Sequence, residues 1–167
     1  VLGYLGPAGK YYWWYYIRTS PQNEKQRIQH RRPSRDDMWR EVRMSLVTVV
    51  IFGTMATVLL QMYKAGWTSI YLRLRDFPLW YFPVSGFLCL VVHDTYFYWT
   101  HRFMHWRPVF KYFHAGHHRS LTPTPWAIYA FQPLEAITQF LGIMMVVTFI
   151  PLHPLARFVH QIGECGQ

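Results

Sequence analysis

The sequence has few cysteines and few charged residues, and both shortages exclude classes of protein. Its two cysteines, Cys89 and Cys165, are too few for a disulfide framework or for a metal site built from cysteine alone. Charged residues make up 15% of the chain, against about 25% in an ordinary soluble domain. Acidic residues are especially scarce, since the chain has 8 Asp and Glu but 17 Lys and Arg. An acidic protein, a disordered tail and a collagen-like chain are therefore excluded.

The chain is rich in aromatic residues, at 19%, and in long runs without a charge. These runs cover residues 44–63, 77–92 and 136–152. As a helix, the first would extend about 30 Å, the thickness of a bilayer core. We therefore predict an all-α integral membrane bundle with three to four transmembrane helices. The alternative, three buried helices in a soluble protein, would need a very large core for so short a chain.

The predicted spans lie near residues 44–63, 77–100 and 135–152, with a fourth helix starting near Pro154. Basic residues flank them: residues 18–43 contain eight, and residues 101–119 contain four with no acidic residue. The positive-inside rule places both flanks on the cytoplasmic side. Nucleic-acid binding is the other common reason for a net charge of +9. Membrane topology explains these charges more simply, so we expect no nucleic-acid partner.

The chain divides at the first predicted span. Residues 1–43 form an aromatic and basic N-terminal segment, interfacial around Tyr11–Tyr16 and then cytoplasmic. Residues 44–167 form the transmembrane domain.

Histidines concentrate in one short stretch, because five of the nine fall between His101 and His118. His101 and His105 are four residues apart and share one face of a helix. His114, His117 and His118 follow the pattern HxxHH, which on a helix occupies about 100° of arc. Neutral imidazole is the usual ligand for iron, zinc and copper. We predict a metal site from these five; a pH sensor and a simple zinc clamp are the alternatives.

The residues around these histidines resemble a known superfamily. The run HDTYFYWTHRFMH, residues 93–105, resembles the first histidine box of the sterol desaturase and fatty acid hydroxylase superfamily. The run KYFHAGHHRS, residues 111–120, resembles the second box. Shorter segments at 67–71, 122–126 and 133–136 resemble the family too, and the resemblance extends over roughly residues 40–156. It is strongest to the sterol C5-desaturase, or lathosterol oxidase, branch.

The resemblance implies a multi-pass membrane enzyme with a histidine-rich dimetal site facing the cytoplasm. The metal is normally two iron ions, with zinc as the alternative in a purified sample. Such enzymes use O₂ and two electrons to hydroxylate or desaturate a lipid, here a sterol or a fatty acyl chain. The chain has no haem attachment motif and no Rossmann fingerprint. The electron donor is therefore a separate protein, such as cytochrome b5 or ferredoxin. The membrane would be the endoplasmic reticulum in a eukaryote and the inner membrane in a bacterium.

The resemblance also assigns roles to residues. It makes metal ligands of the five histidines His101, His105, His114, His117 and His118. His93 is either a further ligand or a buried histidine with an ordinary polar partner. Asp94 either orients a histidine on another helix or makes a polar contact between helices. The basic side chains of Arg102, Arg107, Lys111 and Arg119 either receive an acidic electron donor or reflect topology alone.

The sequence also departs from the family pattern. The third HxxHH box does not occur before Gln167, and Phe131-Gln132-Pro133 stands where the family usually has a histidine. His160 and Glu164, four residues apart, are added candidate ligands. We expect a fragment of a complete enzyme. A degenerate, non-catalytic membrane subunit and a metal-binding or transport protein are the alternatives.

Overall fold

The computed structural model describes residues 2–18 and 32–154. Within these ranges the chain is helical and forms no strand, although Ile70 and Leu152 pair through an isolated parallel β-bridge. The α-helices are α1 (Leu2–Tyr12), α2 (Arg35–Lys64), α3 (Tyr81–Met104), α4 (Arg107–Phe113) and α5 (Pro133–Phe149). A π-helical turn at Trp13–Ile17 and 3₁₀ turns at Leu74–Asp76, His117–Arg119 and Pro125–Tyr129 complete the described elements. The prediction of an all-α protein is confirmed.

The three uncharged runs fall in α2, α3 and α5, but only partly at the predicted bounds. Among the described residues, α2 is the one helix that is both long and apolar enough to cross a membrane. Helix α5 is apolar but has only 17 residues, and it ends at Phe149, shortly before Pro151, which has no N–H to continue it. The number of transmembrane helices, and the fourth helix near Pro154, therefore stay predictions.

Helix α2 begins with a reciprocal cap. The Ser34 hydroxyl accepts a hydrogen bond from the Asp37 backbone N–H at 3.1 Å and donates to the Asp37 carboxylate at 2.7 Å. The Asp37 carboxylate also accepts from the Ser34 backbone N–H at 3.4 Å, which completes a capping box with Asp in place of the usual Glu. The hydrogen bonds from Ser34, and then that from Arg40, hold the pKa of Asp37 below its ordinary value. The cap gives α2 a defined start outside its apolar part.

The described residues divide into two compact units. The first contains residues 2–18, 32–53 and 106–136. In it, the Tyr4 hydroxyl and the Ser45 hydroxyl donate to the backbone carbonyl of Trp126, at 2.8 and 2.7 Å. The fully buried Glu41 accepts hydrogen bonds from the backbone N–H and the hydroxyl of Thr124, at 3.2 and 2.5 Å. Polar contacts thus hold α1 and the start of α2 against the loop that precedes α5.

The second unit contains residues 54–105 and 137–154. Its core is the apolar cluster of Cys89, Val146, Val147 and Leu152. A close contact joins α3 and α5 here, because a Cβ on Gly142 would lie 2.5 Å from the Tyr96 ring. The buried His153 lies in the turn after α5, with its Nε2 3.0 Å from the Leu72 carbonyl oxygen. This is the turn position that the two prolines around His153 indicate.

Candidate metal centre

The first histidine pair lies at the end of α3. His101 occupies the last turn and His105 is the residue that caps the helix. Their Nε2 atoms are 3.1 Å apart, and His105 is exposed while His101 is half-buried. Two nitrogens at this separation can both reach one ion at ~2.0–2.1 Å. The four-residue spacing therefore produces the shared helix face that the sequence predicts.

The chain breaks between the two histidine boxes. Trp106 is extended, with φ −65° and ψ 129°, and α4 begins at the next residue. Pro108 explains why a new helix begins here, because proline is tolerated in the first turn, where its missing N–H is not needed. Arg107, the residue before the proline, is already helical, so the extended residue is Trp106.

The second box does not lie on one helix. His114 caps α4 with φ −137°, outside helical geometry, and His117–Arg119 form a separate 3₁₀ turn. These histidines therefore do not occupy the arc of about 100° that they would occupy on one continuous helix. The rings of His114 and His118 nevertheless meet edge-to-face, with centroids 4.7 Å apart. A second histidine pair thus forms through a turn.

Glu135 is the residue that the sequence analysis missed. Its carboxylate Oε1 lies 2.8 Å from Nδ1 of His114, and the two side chains are 2% and 1% exposed. The separation is that of an ion pair, although the alignment falls outside hydrogen-bond geometry. The available signal was an acidic residue at the edge of a long uncharged run, where a carboxylate needs a reason.

Gln132 holds the second box against the start of α5. Its side-chain oxygen accepts from the Gly116 backbone N–H at 2.9 Å, and its amide nitrogen donates to the Lys111 carbonyl at 3.3 Å. A Cβ on Gly116 would lie 2.9 Å from Cγ of Gln132 and 3.0 Å from Cε of Met44. Glycine at 116 therefore allows this close approach, and Gln132 lies in the segment where the family pattern usually has histidine.

Four further candidate residues, His93, Asp94, His160 and Glu164, are not assigned a role by the structure. His93 is half-buried on α3, and its Nδ1 lies 3.8 Å from the carboxylate of its neighbour Asp94, whose side chain is 72% exposed. His160 and Glu164 lie outside the described residues. The roles assigned to all four stay predictions.

Four of the described histidines thus form two pairs, one in each unit. A donor set of imidazoles fits iron, zinc or copper, and a buried carboxylate beside one ring is the usual support for a metal-ligating histidine. The residues therefore fit a metal site. Convergence of all five histidines on one or two ions stays a prediction.

Comparison with known proteins gives consistent matches. The fatty acid hydroxylase family model matches residues 86–164. Delta(7)-sterol 5(6)-desaturase ERG3A of Gibberella zeae is 30% identical over 134 residues, 80% of this chain and 38% of that protein. Lathosterol oxidase of Homo sapiens is 28% identical over 128 residues, 75% of this chain and 43% of that protein. No solved structure gives a significant match.

These matches support the sterol desaturase and fatty acid hydroxylase superfamily for this chain. The resemblance drawn from the two histidine boxes is confirmed. The chain spans less than half the length of these curated relatives.

Proposed function

We propose that this chain carries part of the metal site of an O₂-dependent membrane oxidoreductase that hydroxylates or desaturates a lipid, either a sterol or a fatty acyl chain. The observation that carries the proposal is the formation of two histidine pairs inside the segment that matches the family. The relatives named as sterol desaturases and lathosterol oxidase support the lipid substrate and the oxidative chemistry.

Two iron ions would be held by His101, His105, His114, His117 and His118, and they would supply the oxidant that an unactivated C–H bond requires. The protein's own contribution is to orient the rings. The end of α3 sets the spacing of the first pair, and the Gln132 and Glu135 side chains hold the second box. The rings of Phe97 and Phe110 lie 5.3 Å from His101 and 5.5 Å from His118, so apolar surface adjoins each pair.

The proposed partners are a membrane lipid and a separate electron donor such as cytochrome b5 or ferredoxin. Arg107, Lys111 and Arg119 of the first unit are exposed and supply positive charge for an acidic donor. We place the protein as a multi-pass membrane protein, in the endoplasmic reticulum or a bacterial inner membrane, with its metal site on the cytoplasmic side. The length and apolar composition of α2 support only the membrane part of this location.

Metal content tests the proposal. The chain is purified in detergent, loaded with Fe(II) without oxygen, and compared with His101→Ala and His114→Ala. We expect each of these two variants to retain less than half of the wild-type iron while keeping its helical circular dichroism. His153→Ala is the matched control, because His153 is buried against the Leu72 carbonyl, away from both boxes in sequence, and is not among the proposed ligands.

Wild-type iron content in His101→Ala and His114→Ala would refute the site. So would an equal loss in His153→Ala, since that would indicate a general effect of losing a histidine. A product assay on a sterol and an acyl lipid, made with the natural full-length protein, then separates a catalytic enzyme from a degenerate subunit.

A further inference from the structure

We propose that Glu135 is a positioning residue for the metal site. The negative charge of its carboxylate, 2.8 Å from Nδ1 of His114, favours a proton on that nitrogen, so that the Nε2 lone pair is left as the ligand atom. The inference rests on the proposed function for the identity of the ligand, but its geometry belongs to the first unit alone. Both residues lie in that unit, and their contact is 2.8 Å.

The burial of Glu135 supports this role. Glu135 is 2% exposed, and a carboxylate removed from water is strongly destabilising unless it is paired and hydrogen-bonded. Its Oε1 lies against the His114 ring, and its Oε2 accepts a hydrogen bond from the Gln132 backbone N–H at 3.4 Å. The acid is therefore placed between a helix start and an imidazole.

The position of Glu135 at the start of α5 also supports this role. Gln132 immediately precedes α5, which makes Glu135 its third residue, and a glutamate there that reaches back to the capping N–H forms half of a capping box. The positive end of the helix dipole also favours a negative charge at this position. One oxygen thus anchors the carboxylate to the helix, and the other is left in a defined place beside the ring.

The His114 side of the contact is equally constrained. The His114 backbone N–H donates to the Phe110 carbonyl at 2.9 Å, and Gln132 binds the Gly116 N–H two residues further on. The backbone that carries the ring is therefore held on both sides. A ligating histidine almost always directs its second ring nitrogen to a carboxylate, a carbonyl or water, which sets its tautomer.

The test compares two buried glutamates of the first unit. Glu135→Gln removes the charge beside His114. Glu41→Gln is the matched control, because Glu41 is also fully buried but is hydrogen-bonded to Thr124. In the metal-free 167-residue chain, ¹⁵N NMR of labelled histidine at about pH 8, where imidazole is neutral, reports the tautomer. The His114 signals are assigned by their absence from His114→Ala.

We expect the Nδ1–H form at His114 in the wild type and in Glu41→Gln, and a reduced share of it in Glu135→Gln. Competition with a chelator should show Fe(II) affinity about 10- to 100-fold lower in Glu135→Gln. The affinity of Glu41→Gln should stay close to that of the wild type.

A wild-type His114 in the Nε2–H form would overturn the proposal, whatever the variants do. An unchanged tautomer and affinity in Glu135→Gln would overturn it as well, and so would equal losses in both variants. If the wild type binds no Fe(II), the proposed function fails, yet the tautomer still decides the role of Glu135.

Discussion

The two histidine pairs are built in different ways. His101 and His105 lie one helical turn apart at the end of α3, and the position of both rings follows from the helix period. His114 and His118 lie outside α4, where a turn brings their rings together. The first pair thus follows from helical geometry, while the second forms in a turn whose residues contact the distant Gln132 and Glu135.

The inner rings of the two pairs also differ. Each pair has one exposed ring, His105 or His118, but His101 is half-buried, whereas His114 is 1% exposed and contacts the carboxylate of Glu135. A buried ring beside a carboxylate has fewer orientations open to it than a ring that faces solvent. The first histidine pair therefore follows from the helix period, whereas the second is supported by contacts with a distant segment of the chain.

The largest expected effect comes from breaking the helix under the first pair. Thr100→Pro removes a backbone N–H inside α3 and should destabilise the chain by about 3 kcal/mol. It should also abolish the His101–His105 spacing and reduce bound Fe(II). Thr100→Ala, which keeps the helix, is the control. Metal analysis and thermal unfolding in detergent measure both effects, and a Pro variant with wild-type iron would show that the first pair does not need α3.

The next effect concerns the packing of α3 against α5. Gly142→Ala places a methyl group 2.5 Å from the Tyr96 ring and should lower stability by about 1–3 kcal/mol through overpacking. Gly53→Ala is the matched control, because a Cβ there meets nothing within 4 Å and alanine favours a helix. The two variants should therefore move the unfolding temperature in opposite directions. A shift of the same sign in both would contradict the close contact.

A smaller effect should reach only the second histidine pair. Gln132→Ala removes the acceptor for the Gly116 N–H and the donor to the Lys111 carbonyl, which should lower stability by about 1–2 kcal/mol. Histidine NMR should show altered signals for His114 and His118, with those of His101 and His105 unchanged. Equal changes at both pairs would show that the second box is not held separately.

The smallest effect lies outside both pairs, at the cap of α2. Asp37 has a lowered pKa, so the stability it contributes is present above its unfolded value of 3.8 and is lost as pH falls through its folded pKa. Ser34→Ala removes the leading cause of that shift and should weaken the acid dependence. Titration of Asp37 by NMR checks the direction, and an unchanged pKa in Ser34→Ala would refute it.

Local pattern in the sequence determined much of the fold. Uncharged runs predicted where α2, α3 and α5 lie, because apolar runs of this length are too long for a strand and indicate a helix. The spacing of His101 and His105 determined one pair, since residues four apart share a helix face. The two boxes also identified the superfamily that the comparisons confirm.

The support of the second pair was decided by tertiary structure alone. HxxHH spacing cannot show that α4 ends at Phe113, and no local pattern links His114 to Glu135, 21 residues further on. That contact exists because the intervening loop returns the chain to the start of α5, where Gln132 binds Gly116. A helix period is a property of neighbouring residues, whereas the partner of a buried carboxylate depends on which distant segments exclude water together.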